Sequence, residues 1–221
     1  MACAILFKGK FHLQKPFNPA EIEYLLNFSR SRRVKRDVNA LEVYAAIRCL
    51  DNLSEEQIKV WEAVKRDIEL RAAVKLPYGS RGEFFCSYTH PIRGRLMAPD
   101  DTIIADEPPG KQPGYWCQWI PSKDGKRLIY DGGEKFHHCI EWLRYIIKNF
   151  LVPWGYILNG IVEWRGEDND DFGRITVKDN VVKVRRNLPV YYGGEVPDVE
   201  VENGEITEEE LRAHKAKYTS P

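Results

Sequence analysis

The sequence lacks an excess of charge of either sign. Its 33 Lys and Arg residues balance 33 Asp and Glu residues over a length of 221. A global basic field that would attract nucleic acid is therefore excluded, and phosphate binding would have to come from a local patch.

Long hydrophobic runs are also missing. No stretch is long enough to cross a bilayer, and the first residues lack a signal-peptide pattern. We therefore expect a cytoplasmic protein with no membrane contact.

Paired cysteines and the common catalytic signatures are absent as well. The five cysteines are widely spaced and include no Cys-x-x-Cys pair, which argues against a disulfide framework or a structural zinc site. The chain has no glycine-rich dinucleotide or phosphate-binding loop, no zinc-protease helix motif and no Gly-x-Ser-x-Gly elbow. These absences predict no cofactor and favour a binding protein over an enzyme. We interpret the cysteines as reduced, mostly buried thiols: Cys3, Cys49, Cys86, Cys117 and Cys139.

What the sequence does contain is a strand pair around an acidic loop. Residues 156–165 and 174–178 alternate between apolar and polar positions, which is the pattern of half-buried strands. Asp179-Asn180 predicts a turn, after which residues 181–184 either extend the second strand or form another.

The loop at 166–171 has no apolar residue to bury, so it is either solvated or binds a ligand. Its carboxylates would suit Mg²⁺ or Ca²⁺, but they lack EF-hand spacing. Solubility alone explains such a loop, so we predict no metal site. The residues that would serve one are Glu163, Glu167, Asp168, Asp170 and Asp171.

Helix signals fall in three places. Asn18-Pro19-Ala20-Glu21 supplies an N-cap, a first-turn proline and an N3 glutamate. Ser54 and Gln57 form a capping-box pattern, and we interpret residues 38–80 as a helical insertion. Residues 134–151 carry a continuous apolar stripe that predicts a third helix, which Pro153 ends.

The remaining apolar segments predict strands at 4–13, 83–88, 115–120 and 127–131, and a hairpin turn at Asp124-Gly125 joins the last two. Without the insertion the order is β-α-β-β-α-β-β. This order predicts an α+β fold, with one antiparallel sheet and helices packed on one face. We assign residues 1–190 to this domain and 191–221 to an acidic tail with a short C-terminal helix. We expect 195–206 to lack regular structure.

Two groups of residues are candidates for binding. The first is a run of five basic residues in seven at the end of the first helix, which complements the helix dipole but also offers a patch for phosphates or a partner. The second is an aromatic group at 115–130, where an exposed ring would stack on a base or anchor a protein. Strand alternation places Trp116 and Trp119 on opposite faces. The candidate residues are Arg30, Arg32, Arg33, Lys35, Arg36, Trp116, Trp119, Arg127 and Tyr130.

The segments 113–125, 131–160 and 163–183 carry a resemblance. Their Pro-Gly-x-Trp-Cys-Gln-Trp, Asp-Gly-x-Glu-Lys-Phe and Gly-Glu-Asp…Val-Lys-Asp-Asn-Val-Val motifs resemble an uncharacterised protein family of bacteriophages, prophages and some actinobacterial genomes. The resemblance covers 110–184 well and 5–33 loosely. It departs at Ile129-Tyr130, where the family usually has Trp, and it includes neither the insertion nor the tail after 187. It implies an accessory gene of a phage or mobile element, acting in the host cytoplasm, and it transfers no catalytic residue.

These features together predict a phage-type accessory protein, a counter-defence inhibitor that binds a host protein or a small signalling nucleotide without catalysis. One alternative is a nucleic-acid-binding protein that uses the 30–36 run with exposed aromatics. Another is a metal-dependent enzyme built on the acidic loop. The acidic residues at 195–210 also oppose the 30–36 run in sign. The tail is therefore either a solvated appendage or a cover over that run, which would compete with an anionic partner.

Overall fold

The computed structural model describes residues 6–86, 100–133, 136–166, 172–187 and 198–201. Its fold is α+β, as predicted, with an antiparallel sheet of seven strands and helices against one face. The helices are α1 (Pro19–Arg30), α2 (Val38–Ala46), α3 (Glu55–Ala73) and α4 (Cys139–Ile146), and a π-helical turn at Ile147–Leu151 continues α4. The strands are β1 (Leu6–Leu13), β2 (Lys35–Arg36), β3 (Ile103–Ala105), β4 (Trp119–Pro121), β5 (Arg127–Tyr130), β6 (Leu158–Arg165), β7 (Phe172–Lys178), β8 (Val181–Asn187) and β9 (Asp198–Val201).

The first strand of the chain lies inside the large sheet. The spatial order is β4-β5-β1-β6-β7-β8-β9, and β2 and β3 form a separate small sheet. Phe11 of β1 is paired with Leu128 of β5 on one side and with Gly160 of β6 on the other. The N-terminal strand thus joins two segments that come more than a hundred residues later in the chain.

The predicted turns are present and decide where the strands end. Asp179 and Asn180 have φ angles of 50° and 68°, a left-handed conformation that Asn and Asp tolerate and that suits a two-residue hairpin. The Asn180 side chain accepts a hydrogen bond from Leu158 N and donates one to Tyr156 O, both at 2.8 Å. The turn therefore makes β8 a separate strand. The hairpin at Asp124-Gly125 likewise joins β4 and β5.

The predicted helix starts are confirmed by their caps. Asn18 Oδ1 accepts a hydrogen bond from Glu21 N, and a Glu21 carboxylate oxygen accepts one from Asn18 N, each at 2.9 Å. Ser54 and Gln57 form the same reciprocal pair at the start of α3. Each pair satisfies two backbone N–H groups that a helix leaves without partners.

Strand alternation places the main core on one face of the sheet. In β6 the side chains of Leu158, Val162 and Trp164 are buried, whereas Ile161 and Glu163 point to the opposite face. The buried face packs against α1 and α4 through an aromatic and aliphatic cluster that includes Tyr24, Leu25, Phe28, Trp142, Leu143, Phe150 and Leu151. A smaller second core joins α2 and α3 through Leu41, Tyr44, Val60, Val64 and Phe85.

The neighbouring strands β1 and β6 each contain a glycine at a point where the backbone of the other strand leaves no room for a side chain. A Cβ on Gly160 would lie 2.6 Å from Lys10 O, and a Cβ on Gly9 would lie 2.4 Å from Ile161 O. Both glycines have positive φ angles, 142° and 110°. A side chain at either position would have to push the two backbones apart, so glycine is required at these two positions of the β1–β6 pair.

Some predicted strand boundaries were wrong. The described part of 83–88, residues 83–86, forms no strand, because these residues pack under α3 and Cys86 N donates its hydrogen bond to Asp67 Oδ1. The strand predicted at 115–120 is confined to β4, and β3 at Ile103–Ala105 was not among the predicted strands. The helix that we predicted at 134–151 begins, within the described residues, at Cys139. His138, the residue before it, has a left-handed φ of 57°.

The prediction that 195–206 lacks regular structure was also wrong for four residues. Asp198–Val201 forms β9 at the edge of the sheet. The segment alternates acidic residues with valines, and Glu200 is in register with Arg185 of β8. Alternation and opposite charges across a strand pair favour pairing even in an acidic segment. The rest of the predicted tail and its C-terminal helix lie outside the described residues.

Candidate functional site

The basic run at 30–36, predicted as a patch for phosphates, is largely an internal structural element. Arg33 is only 2% exposed. Its guanidinium donates hydrogen bonds to Gln112 Oε1 at 3.0 Å, Phe85 O at 2.6 Å and Glu83 O at 2.7 Å. It also lies 4.2 Å from the centre of the Phe28 ring. Burial lowers the pKa of Arg33 from its ordinary value.

Three further cations of the run are paired with one acidic segment. Arg32 pairs with Asp106, Lys35 with Glu107, and Arg36 with Asp100. The Arg36–Asp100 pair is buried, with side chains 5% and 8% exposed. These contacts attach residues 100–112 to the end of α1, so Arg32, Arg33, Lys35 and Arg36 are corrected from binding residues to structural ones. Arg30 stays exposed at the helix end.

The predicted aromatic binding group is also mostly structural. Trp119 is 1% exposed, donates a hydrogen bond to Cys139 O at 2.7 Å and packs edge-on against Phe11. Tyr130 packs against Phe7 with ring centres 4.7 Å apart. Trp119 and Tyr130 are therefore core residues, and Trp116 is half-buried outside the strand.

Two further tryptophans differ in burial. Trp164 is 7% exposed, whereas Trp154 is half-buried and stacks on Phe150.

The face of the sheet that no described helix covers forms the candidate site instead. Cross-strand partners share a face, so the register fixes which side chains lie together. His12 lies opposite Arg127 and Asn159, Lys10 lies opposite Ile161, and Lys8 lies opposite Glu163. We call this surface the open sheet face. Its described positions carry eight Lys or Arg residues: Lys8, Lys10, Arg127, Arg165, Arg174, Lys178, Lys183 and Arg185.

The charge on the open sheet face is only partly balanced. Glu163 is the one acidic residue among the described strand positions of β1 and β5 to β8 on this face, and it accepts two hydrogen bonds from Arg174, at 2.9 and 3.2 Å. On the edge strand β9, Glu200 and Asp198 are in register with Arg185 and Asn187 of this face. Arg127 pairs with Asp124 in the hairpin turn at 3.1 Å. Lys8, Lys10, Arg165 and Lys178 form no ion pair with a described residue, and all are exposed.

Apolar side chains lie among these cations. Leu6 is 73% exposed, Ile161 50% and Val181 59%. The face therefore combines cationic and apolar side chains. Its cations lie about 7 Å apart along a strand and about 5 Å apart between strands. Such a surface can hold an extended anionic chain rather than a single ion.

Of the sequence candidates for binding, only Arg127 lies on the open sheet face. We missed the other cations because they alternate with other residues over four strands and make no basic run, and because β1 lies far in sequence from β6, β7 and β8. The signal that was available is the alternation of cations within strands, at Lys8 and Lys10 and again at Lys183 and Arg185.

The acidic loop adds no site that the structure describes. Glu163 is engaged with Arg174, while Glu167, Asp168, Asp170 and Asp171 lie outside the described residues. Within the described ranges, no group of three His, Cys, Asp or Glu residues is placed to hold a metal ion. The described helices include none that is long and apolar enough to span a membrane.

Comparison of the chain with protein-family models, with curated proteins and with solved structures finds no match in any of the three.

Proposed function

We propose that this chain is a non-catalytic binding protein whose open sheet face binds single-stranded nucleic acid through the phosphate backbone. The observation that carries the proposal is the excess of Lys and Arg over acidic residues on one exposed face of the sheet. Phosphate contacts by Lys and Arg supply most of the affinity of nucleic-acid binding that does not depend on sequence. The neutral net charge of the chain is no obstacle, because the cations of this face are concentrated locally.

The shape of the surface supports a single strand over a duplex. An extended strand can lie across several β-strands, as it does on other sheet-based modules that bind single-stranded RNA or DNA. Reading a duplex usually requires a helix or ribbon that enters a groove. The described open sheet face is a continuous surface of β1 and β5 to β8, with no helix projecting from its described positions.

The composition of the face supports nucleic acid over a protein partner. The centres of protein interfaces are enriched in aromatic residues and depleted of Lys. The described positions of the open sheet face include no Trp or Tyr and only one Phe, Phe172. An acidic protein is therefore the alternative that the experiment has to exclude.

The resemblance to phage and prophage proteins supports a biological setting for this activity. As an accessory protein of a phage or mobile element, the chain would act against host defence by occupying or sequestering a nucleic acid, without cleaving it. In this proposal the binding surface is the open sheet face, and not the 30–36 run that we considered from the sequence.

A salt titration with two matched variants tests the proposal. The first variant, Lys8→Gln/Lys10→Gln/Lys178→Gln, removes three exposed charges from the open sheet face. The second, Lys59→Gln/Lys111→Gln/Lys148→Gln, removes three exposed charges elsewhere. Binding of a labelled single-stranded oligonucleotide is measured by fluorescence anisotropy.

The wild type should bind at low salt with an affinity that falls steeply as salt rises. The first variant should lower the slope of log K against log salt by about 2, because each phosphate contact on a single strand contributes about 0.7. The second variant should bind like the wild type. Equal losses in both variants would show that only net charge matters. No binding by the wild type at low salt would reject nucleic acid as the ligand and favour an acidic protein partner.

A further inference from the structure

One end of the open sheet face contains a pocket of about 600 Å³. This volume lies within the range of small-molecule sites. Two cross-strand rows form its floor: Leu6 lies opposite Arg165, which lies opposite Phe172, and Lys8 lies opposite Glu163, which lies opposite Arg174. The pocket thus combines apolar and cationic side chains within two adjacent rows of one sheet.

The apolar part of the pocket is formed by Leu6 and Phe172. Leu6 and Phe172 flank Arg165 from the two neighbouring strands. Leu6 is 73% exposed and Phe172 is half-buried, so both retain apolar surface that a ligand would cover. Trp164 and Gly173, which are in register with each other between the two rows, also line the pocket.

The polar part of the pocket is suited to an anion beside that ring. Lys8 and Arg165 are exposed, and neither forms an ion pair with a described residue. Arg174 is oriented by its two hydrogen bonds to Glu163. A ligand that fills the pocket would therefore carry a planar ring and, a few ångströms away, a negative charge. A nucleotide has this combination.

We propose that the pocket binds one nucleotide of a bound strand, with the base between Leu6 and Phe172 and the neighbouring phosphate on Lys8 and Arg165. The inference rests on the proposed function and adds a base-binding subsite to a surface that otherwise contacts phosphates. Stacking on an aromatic side chain accommodates any base, so the subsite distinguishes a strand with bases from a bare backbone rather than one sequence from another.

The test compares three probes on the full chain. They are a thymidine oligomer, an abasic oligomer of the same length and thymidine monophosphate. Competition anisotropy gives the oligomer affinities and calorimetry gives the mononucleotide affinity. The variants are Phe172→Ala and Leu6→Ala, one from each wall of the pocket. Val43→Ala is the matched control, because Val43 is an exposed apolar residue on α2, outside the open sheet face.

The wild type should bind the thymidine oligomer about tenfold more tightly than the abasic oligomer, which is the size of one stacked base. Phe172→Ala and Leu6→Ala should each reduce this ratio towards one and leave the abasic affinity unchanged. Val43→Ala should keep the ratio. If Phe172→Ala does not fold, as judged by thermal unfolding, Leu6→Ala gives the same comparison from a more exposed position.

The outcomes separate this inference from the proposed function. If the abasic oligomer binds with a steep salt dependence and the ratio is one in the wild type, or survives both pocket substitutions, the face binds nucleic acid but the pocket inference is wrong. If neither oligomer binds, the proposed function is wrong. Thymidine monophosphate binding that both pocket substitutions abolish would then identify a free nucleotide as the ligand, and its absence would reject the pocket as well.

Discussion

Replacing Arg33 with methionine should destabilise the fold without acting on the binding surface. Methionine retains an unbranched, flexible side chain but removes the guanidinium that bonds to Gln112, Phe85 and Glu83. Each hydrogen bond to a charged group is worth about 1.5–3 kcal/mol. The three bonds are opposed by the cost of burying the charge, which amounts to several kcal/mol. The acceptors left behind are also buried or half-buried. We therefore expect the free energy of unfolding to fall by about 3 kcal/mol.

The assay is urea unfolding followed by tryptophan fluorescence, which reports on buried rings such as Trp119 and Trp142. The matched control is Arg30→Met, at the exposed end of the same basic run, and it should change the free energy of unfolding by no more than about 0.5 kcal/mol. If Arg33→Met were as stable as the control but bound an oligonucleotide poorly, Arg33 would be a ligand contact and its assignment as a structural residue would be refuted.

Three further predictions follow from a glycine, a buried carboxyl and the tail. Gly160→Ala should lower the free energy of unfolding in urea by about 3 kcal/mol, because its Cβ meets the backbone of β1. Gly132→Ala, where no atom lies within 4 Å, should cost about 1 kcal/mol. Burial raises the pKa of Asp67 above its ordinary 3.8 despite the adjacent Arg71, so its contribution to stability is full below pH 3.8 and is lost as pH rises through its folded pKa. The excess stability of the wild type over Asp67→Asn, measured by unfolding at several pH values, should fall over that range. Deleting 195–221 should raise oligonucleotide affinity at low salt, with a gain that shrinks at high salt.

Each of these predictions has an outcome that contradicts it. Equal losses of unfolding free energy for the two glycine substitutions would mean that the β1–β6 pair accommodates the added Cβ without strain. An Asp67 effect that grows with pH would show that the ion pair with Arg71 outweighs burial. Unchanged affinity after the deletion would show that the tail, including β9, does not compete for the open sheet face.

The features that sequence reasoning predicted well are local ones. The cap at Asn18 and the turn at Asp179-Asn180 depend on a few adjacent residues, so their sequence patterns are enough to identify them. The α+β class followed from the alternation of strand and helix patterns in the same way.

The features that it missed depend on contacts between distant segments. Arg33 looked like a surface cation because the residues that bury it, Glu83, Phe85 and Gln112, are at least 50 positions away. The open sheet face was missed for the same reason, since Lys10 and Ile161 become neighbours only when β1 pairs with β6. Register between such strands is set by the whole core, which no short window of sequence contains.

The placement of β1 also has a consequence for how the chain folds as it is synthesised. β1 leaves the ribosome long before its partners β5 and β6, which begin only at Arg127 and Leu158. Pairing over such a separation is slow, and unpaired strand edges promote aggregation while it is pending. Lys8 and Lys10 place two charges on β1 while it is still unpaired. Charged side chains on an exposed strand protect it from pairing with other chains. The same two lysines that we assign to ligand binding would thus also keep the nascent chain soluble until β6 is made.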